Sequence, residues 1–425
     1  MTLLLATLPA GALRRAWPVV AVPVAVAGCS AWGLLLTRSG EQLFLGAAPF
    51  AGRWDLRLSA ALLLPVAVAV LVAVRGPQLA HRARWPVLLL AVPLAAAAWA
   101  VALALVDGTA GLTGPLSSRD EYLFEVPQVG AGFLSGFVER INTYGGPGAW
   151  TTHVAGHPPG ALLLFAGMAA VGLGGAWPAS LLCVGAGASA AAALLVAVRE
   201  VAGEQAARRV APFAVLLPGA VWLAVSADAL FLGVTAWGVA ALAGGRHAVG
   251  GLLLGAGLVL TYGALPLGVL ALALLVRRGR WRGLAVSGTA VLAVLLAFGA
   301  AGFWWHEGLA ETLVRYEAGA GGTRPPTYFL VTNLVLFACV IGPAGVAALG
   351  RVRRGDALWW LVGPGLAAVL LADLSGRSRG EVERIWLPFA PWVLAATARL
   401  PGARWWLAAQ AATAVVVQVT VRSKW

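Results

Sequence analysis

The sequence contains few charged residues, and this shortage determines its class. Aspartate, glutamate, lysine and arginine make up 11% of 425 residues, whereas hydrophobic residues make up 60%. A water-soluble core cannot hide so much apolar surface, which excludes a soluble globular protein and makes the bilayer the expected solvent. Runs such as 85–106 and 281–303 are nearly free of charge and have the ~20 residues that cross a hydrocarbon layer.

Cysteine is scarce as well. Cys29, Cys183 and Cys339 lie far apart in apolar segments, so the sequence favours neither a disulfide framework nor a thiolate metal site. A nucleotide-binding loop is also absent from the sequence.

Basic residues outnumber acidic ones, giving a formal net charge of +13. In a soluble protein this would suggest nucleic acid, but here the basic residues form short clusters between apolar runs. Such clusters mark cytoplasmic loops, and we expect no nucleic-acid partner. The clusters are Arg14/Arg15, 75–84, 199–209, Arg246, 277–282, 351–354 and 399–404.

Because the chain must cross the membrane twice between successive clusters, the sequence predicts an all-α polytopic integral membrane protein with about thirteen transmembrane helices. We expect one transmembrane domain over 1–425, without a separate soluble domain, in the plasma membrane with a cytoplasmic N-terminus. The predicted spans are 17–36, 57–74, 86–106, 177–198, 210–226, 229–244, 250–262, 264–276, 284–303, 327–349, 357–373, 385–399 and 405–421.

This orientation places segment 107–176 on the outer side. Within it, Pro159–Leu173 is apolar but short, and counting it as a span would move the 199–209 cluster outside. We therefore expect juxtamembrane helices in an outer loop. Gly250–Val276 must go out and back in a short distance, which predicts two short helices meeting near Thr261. Nearly all acidic residues fall outside as well, which predicts an acidic outer cleft.

The outer loop contains an acidic pair, Asp120-Glu121, in the sequence Ser117–Tyr122, and later His153 and the turn His157-Pro158-Pro159. An acidic pair after a span, followed by a His-Pro-Pro turn before an apolar helix, resembles the C-type (GT-C) membrane glycosyltransferases. The resemblance is to the protein mannosyltransferase and aminoarabinose transferase branch.

Later segments resemble the same superfamily, so that the resemblance covers roughly 86–400. Ser226–Phe231 is similar to its second-loop acid, Leu252–Pro266 to its hairpin, and Arg384–Pro391 to its late R-x-x-L-P-x-x-P segment. The chain departs from the pattern at Tyr262, where many relatives carry lysine, and in having two spans before the span that opens the loop.

The resemblance implies that a sugar moves from a polyprenyl-phosphate donor to an acceptor hydroxyl on a glycan, a glycolipid or a protein. Such transfer needs a carboxylate base and cationic groups for the departing phosphate. The family position implies Asp120 as the base, with Glu121 orienting it or contacting the acceptor. The alternative is that both are solvated loop charges.

We expect further substrate contacts from six residues: Asp228, Arg384, His157, Tyr122, Tyr262 and His153. An ionisable residue at the mouth of a span is costly unless it is used or paired, which favours Asp228. Arginine can bind phosphate through two hydrogen bonds, which favours Arg384. The alternatives are a helix-capping acid, a salt-bridged loop arginine and, for His157, a turn residue.

We expect no cofactor and no metal, although His153, His157 and Asp120 leave a divalent cation as an alternative. A transporter or flippase of a lipid-linked or anionic substrate is the competing class, since broken helices and polar groups also occur there. A transporter tends to place its ionisable residues near the bilayer midplane, whereas these gather at one boundary. An acyl- or phosphotransferase would need a nucleophile or metal cluster that the loop does not contain.

Overall fold

The computed structural model describes residues 10–141, 146, 148–277, 279 and 281–425, and for 10–16 only the backbone. The side chains of Arg14 and Arg15, and Arg278 and Arg280 of the predicted basic cluster 277–282, therefore lie outside the described part of the chain.

Helices form nearly all of the regular structure in the described residues. The α-helices are α1 Ala10–Arg38, α2 Leu63–Arg82, α3 Trp85–Ala104, α4 Ala110–Thr113, α5 Tyr122–Glu125, α6 Thr152–Ala155, α7 Gly160–Ala170, α8 Ala176–Ala202, α9 Glu204–Val215, α10 Ala227–Ala243, α11 His247–Leu260, α12 Leu267–Arg277, α13 Trp281–Ala300, α14 Trp305–Ala318, α15 Ala320–Thr323, α16 Pro326–Leu349, α17 Trp359–Leu374, α18 Val382–Ile385, α19 Ala390–Leu394 and α20 Ala403–Thr420. The strands are β1 Gly52–Trp54 and β2 Val421–Ser423.

Six helices of the described chain are long and apolar enough to cross a membrane, and they lie in α1, α2, α3, α8, α13 and α16. Only 11% of the α2 window is buried inside the protein, and Leu63 and Leu71 on its surface are 72% and 60% exposed. Apolar side chains that the protein leaves uncovered on a long helix require lipid around them. The prediction of a helical membrane-embedded protein is thus confirmed at this level.

Two predicted spans are not continuous helices, and a third is displaced. Segment 210–226 consists of the end of α9 and the 3₁₀ helix Pro218–Trp222, and segment 385–399 is divided among α19 and two 3₁₀ helices. Prolines in both segments remove helical N–H donors. Residues 210–226 and 386–398 are buried inside the protein, the condition under which irregular backbone persists in a membrane. The displaced span is 57–74, because the helix in this region, α2, covers Leu63–Arg82 and so begins and ends later along the chain.

Glycine allows the central helices to approach closely. A Cβ at Gly233 of α10 would overlap the carbonyl oxygen of Ala186 in α8, and a Cβ at Gly251 of α11 would overlap the carbonyl oxygen of Ser287 in α13. Small residues at such crossings permit the van der Waals packing that holds helices together where the hydrophobic effect does not. Glycine thereby brings α10 close to α8 and α11 close to α13.

A kink divides α16 at Gly342, whose φ of 70° is left-handed, and at Pro343. The kink frees backbone groups that a buried side chain satisfies. Gln410 of α20 donates from Nε2 to the carbonyl of Ile341 at 2.9 Å, and its Oε1 accepts from the N–H of Ala344 at 3.2 Å. Gln410 thus replaces the hydrogen bonds that the kink breaks.

Replacing Gln410 with methionine is expected to lower the free energy of unfolding by about 2 to 5 kcal/mol, because two buried backbone groups lose their partners. Unfolding in mixed micelles measures the change. Gln128→Met is the matched control, because Gln128 is exposed. Equal stability of the two variants would contradict this account of the kink.

The two strands bring the end of the described chain beside the loop that follows α1. They pair antiparallel, with Gly52 opposite Ser423 and Trp54 opposite Val421. The guanidinium of Arg57 stabilises the Val421 end of this pairing, since it donates to the carbonyl of Val421 at 2.7 Å and to the Asp107 carboxylate. This arrangement places residues 421–425 at the end of the bundle where α3 ends and α10 begins.

Candidate functional site

Four buried side chains from distant segments meet at this end of the bundle. Glu121 precedes α5, His153 lies in α6, Asp228 in the first turn of α10 and Arg384 in α18, and all four are at most 8% exposed. We refer to these four residues as the charged cluster. A carboxylate in the first turn of a helix is favoured by the helix dipole, which is consistent with the position of Asp228.

Backbone hydrogen bonds place His153 on the acidic pair. The buried Glu125 carboxylate accepts from the N–H of Thr151 at 3.0 Å, which holds the start of α6 against α5. The N–H of His153 then donates to the carbonyl of Asp120 at 3.2 Å. As a result, Nδ1 of His153 lies 3.0 Å from Oε1 of Glu121.

Arg384 lies at the centre of the cluster. Its Nη1 donates to Oδ2 of Asp228 at 2.5 Å, and its Nη2 contacts Oε2 of Glu381 at 2.5 Å and Nε2 of His153 at 2.9 Å. A buried cation is tolerated only when it is paired. Burial opposes the charge, but the carboxylates of Asp228, Glu381 and Glu121 outweigh it and raise the pKa of Arg384.

The bond to Arg384 determines the tautomer of His153. A guanidinium has only donors, so Nε2 of His153 must accept the hydrogen bond. The proton of the neutral ring is therefore on Nδ1, where it faces Glu121 and the carbonyl of Asp120, 3.0 Å away. The ring thus links the acidic pair to Arg384.

Glu121 is ionised throughout the physiological range. Burial raises its pKa, but the hydrogen bond from His153, the charge of Arg384 and the hydrogen bond from Trp425 overcome burial and lower the pKa to about 2. A carboxylate with so low a pKa is a poor proton acceptor. The geometry therefore suits Glu121 for holding its neighbours in place.

Tyr122 and His157 lie behind the cluster. Nδ1 of His157 is 2.8 Å from the carbonyl of His153, and its ring packs between Tyr122 at 5.9 Å and Phe231 at 5.5 Å. Burial lowers the pKa of His157 to about 4, so Nδ1–H of the neutral ring donates. The buried hydroxyl of Tyr122 has no hydrogen-bond partner among the described residues.

Asp120 and Tyr262 occupy different surroundings. The Asp120 side chain is 49% exposed at the rim of the cluster, where Oδ2 lies 3.4 Å from Nζ of Lys424. Tyr262 packs against Trp305 in the turn between α11 and α12, with ring centroids 5.3 Å apart, so its contacts are with α14 rather than with the charged cluster.

The described residues contain no group of three His, Cys, Asp or Glu side chains placed to hold a metal ion. Both ring nitrogens of His153 are engaged in hydrogen bonds, and Nδ1 of His157 faces a carbonyl. The two histidines and Asp120 therefore do not converge as a ligand set in the described structure.

Trp425 is a cluster neighbour that the sequence did not indicate. Its indole Nε1 donates to Oε1 of Glu121 at 2.8 Å, and its ring lies 4.0 Å from Cζ of Arg384. No local pattern marks this residue, because its position follows from the pairing of β2 with β1. For Glu381, the sequence contained a weak indication of a role in the site, because the residue lies three positions before Arg384.

A groove of about 860 Å³ adjoins the cluster. Glu381 and Trp425 line it and also contact Arg384, so the groove and the cluster are contiguous. Its other charged lining residues are basic: Arg53, Arg324, Arg422 and Lys424. The groove therefore suits an anionic group.

The chain has no match among models of protein families, among curated proteins or, for its structure, among solved structures.

Glu383 provides a pH-dependent test of the site. Its fully buried carboxylate accepts from the N–H of Ala51 at 2.7 Å, and burial raises its pKa from 4.5 to about 7. The folded protein thus keeps a proton that the unfolded chain releases. The resulting stability is present below pH 4.5 and is lost as the pH rises through 7.

Glu383→Gln is expected to match the native thermal midpoint at pH 5 and to exceed it by a few degrees at pH 8, because glutamine copies the protonated carboxyl. Differential scanning fluorimetry in detergent measures both. The exposed Glu139→Gln is the control. A native-like pH slope in Glu383→Gln would contradict the assignment.

Proposed function

We propose that the protein is a GT-C glycosyltransferase that transfers a sugar from a polyprenyl-phosphate donor to an acceptor hydroxyl at the non-cytoplasmic face of the plasma membrane. The observation that carries the proposal is the convergence of Glu121, His153, Asp228 and Arg384 beside a basic groove. Three of these residues belong to segments that resemble successive motifs of that superfamily.

We infer about thirteen crossings and a cytoplasmic N-terminus from the distribution of basic clusters along the sequence, and two residues of these clusters make contacts at the other end of the bundle. There, Nη1 of Arg208 donates to the carbonyls of Ala80 and Ala83 at the end of α2. Arg399 forms a two-point ion pair with Asp356. Arg208 and Arg399 belong to the basic clusters 199–209 and 399–404, which the positive-inside rule assigns to the cytoplasmic side.

The groove supplies a place for the donor. Its basic side chains are suited to the phosphate, and the apolar side chain of Phe44 in its lining is 59% exposed. Exposed apolar side chains beside a basic groove suit a lipid whose chain remains in the bilayer and whose phosphate enters the protein.

In the proposed reaction, the acceptor oxygen attacks the anomeric carbon while its proton passes to Asp120. The bond between the anomeric carbon and the phosphate oxygen breaks, and polyprenyl phosphate leaves with the bonding electrons. Arg384 and the groove cations stabilise the phosphate as its charge develops. Glu121, ionised and bonded to His153, keeps Arg384 and the ring in position.

Asp120→Asn is expected to abolish transfer, because an amide cannot accept the hydroxyl proton. Purified protein in liposomes that contain radiolabelled polyprenyl-phosphate sugar measures transfer of label to acceptor. Glu307→Gln, at an exposed carboxylate of α14, is the control and should transfer label at the native rate. Full transfer by Asp120→Asn would exclude Asp120 as the base.

Arg384→Lys is expected to reduce the rate of transfer by about a hundredfold, because an ammonium cannot satisfy Asp228, Glu381 and His153 with the geometry of a guanidinium. The initial rate in the same liposomes is the measurement, and the thermal midpoint establishes that the variant is folded. A folded variant with the native rate would remove Arg384 from the reaction.

The competing function is transport or flipping of a lipid-linked or anionic substrate, which the broken segments 216–226 and 385–399 favour. The same liposomes separate the two functions. Label that crosses the bilayer with its sugar still on the lipid phosphate would favour transport, and label found on the acceptor would favour transfer.

A further inference from the structure

Residues 421–425, which we call the strap, lie across the charged cluster. Lys424 and Trp425 each contact one member of the acidic pair. Nζ of Lys424 is 3.4 Å from Oδ2 of Asp120, and Nε1–H of Trp425 donates to Oε1 of Glu121 at 2.8 Å. Both carboxylates therefore have donors from the same short segment.

Trp425 also covers the cation of the cluster. Its indole lies over the guanidinium of Arg384, with the ring centroid 4.0 Å from Cζ, and its ring is 5.7 Å from that of His153. The same residue lines the groove. The strap thus stands between the groove and the cluster, on the path between a bound phosphate and Arg384.

The contacts of the strap with the charged cluster are of the kinds that a substrate would make. The N–H of Trp425 donates to the Glu121 carboxylate, as the hydroxyl of an acceptor would. The indole of Trp425 covers the face of the Arg384 guanidinium that an anion would otherwise contact. With the strap in place, Nε of Arg384 and the hydroxyl of Tyr122 are buried without partners in the described structure. Unpaired buried polar atoms are costly, and a polar ligand would satisfy them.

The pairing of β2 with β1 holds the strap as far as Ser423, which lies opposite Gly52. Arg57 binds the carbonyl of Val421, but the following side chains form exposed ion pairs. The side chains of Arg422 and Asp55 are 46% and 31% exposed, and those of Lys424 and Asp120 are 69% and 49% exposed. Exposed ion pairs contribute little, so among the described residues Trp425 provides the main attachment beyond Ser423.

We propose that the strap is a gate that occupies the acceptor position in the resting protein and whose Lys424 and Trp425 swing out after Ser423 to join the groove to the charged cluster. The identity of the ligand that enters rests on the proposed function. The apparent affinity for that ligand is then the intrinsic affinity reduced by the fraction of open protein.

The first experiment needs no ligand and uses hydrogen exchange of the full chain. The strap amides of Lys424 and Trp425 should exchange at least about tenfold faster than those of α20. Trp425→Ala should increase exchange at Lys424 about tenfold more, because the variant loses a charged hydrogen bond and a cation–π contact. Trp405→Ala is the matched control, since Trp405 lies on α20 and is 59% exposed. Strap exchange as slow as that of α20 would overturn the gate, whatever the protein does.

The second experiment measures binding of a polyprenyl phosphate to protein in nanodiscs. Trp425→Ala should bind it about fivefold more tightly than the native protein, because a larger fraction is open, and Trp425→Phe should lie between them. Weaker binding by Trp425→Ala would overturn the gate and make Trp425 part of the binding surface. If strap amides exchange fast but neither the native protein nor the Trp425 variants bind polyprenyl phosphate, the proposed donor is overturned and the gate is upheld.

Discussion

One buried guanidinium organises the functional end of this protein. Arg384 is 4% exposed, and a cation in such surroundings must be paired. Its partners come from the start of α10, from α6 and from the turn before α18, so the ion pairs draw segments together that are far apart in sequence. Through His153, the same cation is linked to Glu121 and the carbonyl of Asp120. The positions of the proposed reacting groups therefore depend on how this one charge is neutralised.

The bilayer explains where the cluster can be built. Lipid cannot satisfy free N–H and C=O groups, so irregular backbone is confined to places that protein covers. The chain breaks its helices at 216–226 and around 386–389, and both breaks are buried. Asp228 directly follows the first break, and Arg384 directly precedes the second. The breaks thus place the polar side chains of Asp228 and Arg384 at the end of a bundle whose helices are mainly apolar.

Burial and neighbouring charges give the carboxyl groups and histidines of this region different protonation states. The pKa of Glu121 is lowered to about 2, despite burial, by His153, Arg384 and Trp425. Burial raises the pKa of Glu383 to about 7 and lowers that of His157 to about 4. Near neutral pH the site therefore contains a permanently charged carboxylate, a carboxyl that titrates and a neutral ring. The Asp120 side chain at the rim is 49% exposed, and this access suits it to take the proton in the proposed mechanism.

The sequence by itself determined that the chain is a helical membrane protein, because hydropathy is a local property that each segment carries. It also indicated the two short helices at Gly250–Val276 and several members of the cluster, because ionisable residues are costly near lipid. Tertiary structure decided which residues meet: it brought His153 to Glu121 and Arg384, left Tyr262 against Trp305, and placed Trp425 over the cluster through the pairing of two short strands. The ion pair of Arg384 with Asp228 and the hydrogen bond of Trp425 with Glu121 join residues 156 and 304 positions apart. The first follows from the need to neutralise a buried charge and the second from strand pairing, and no local pattern encodes either.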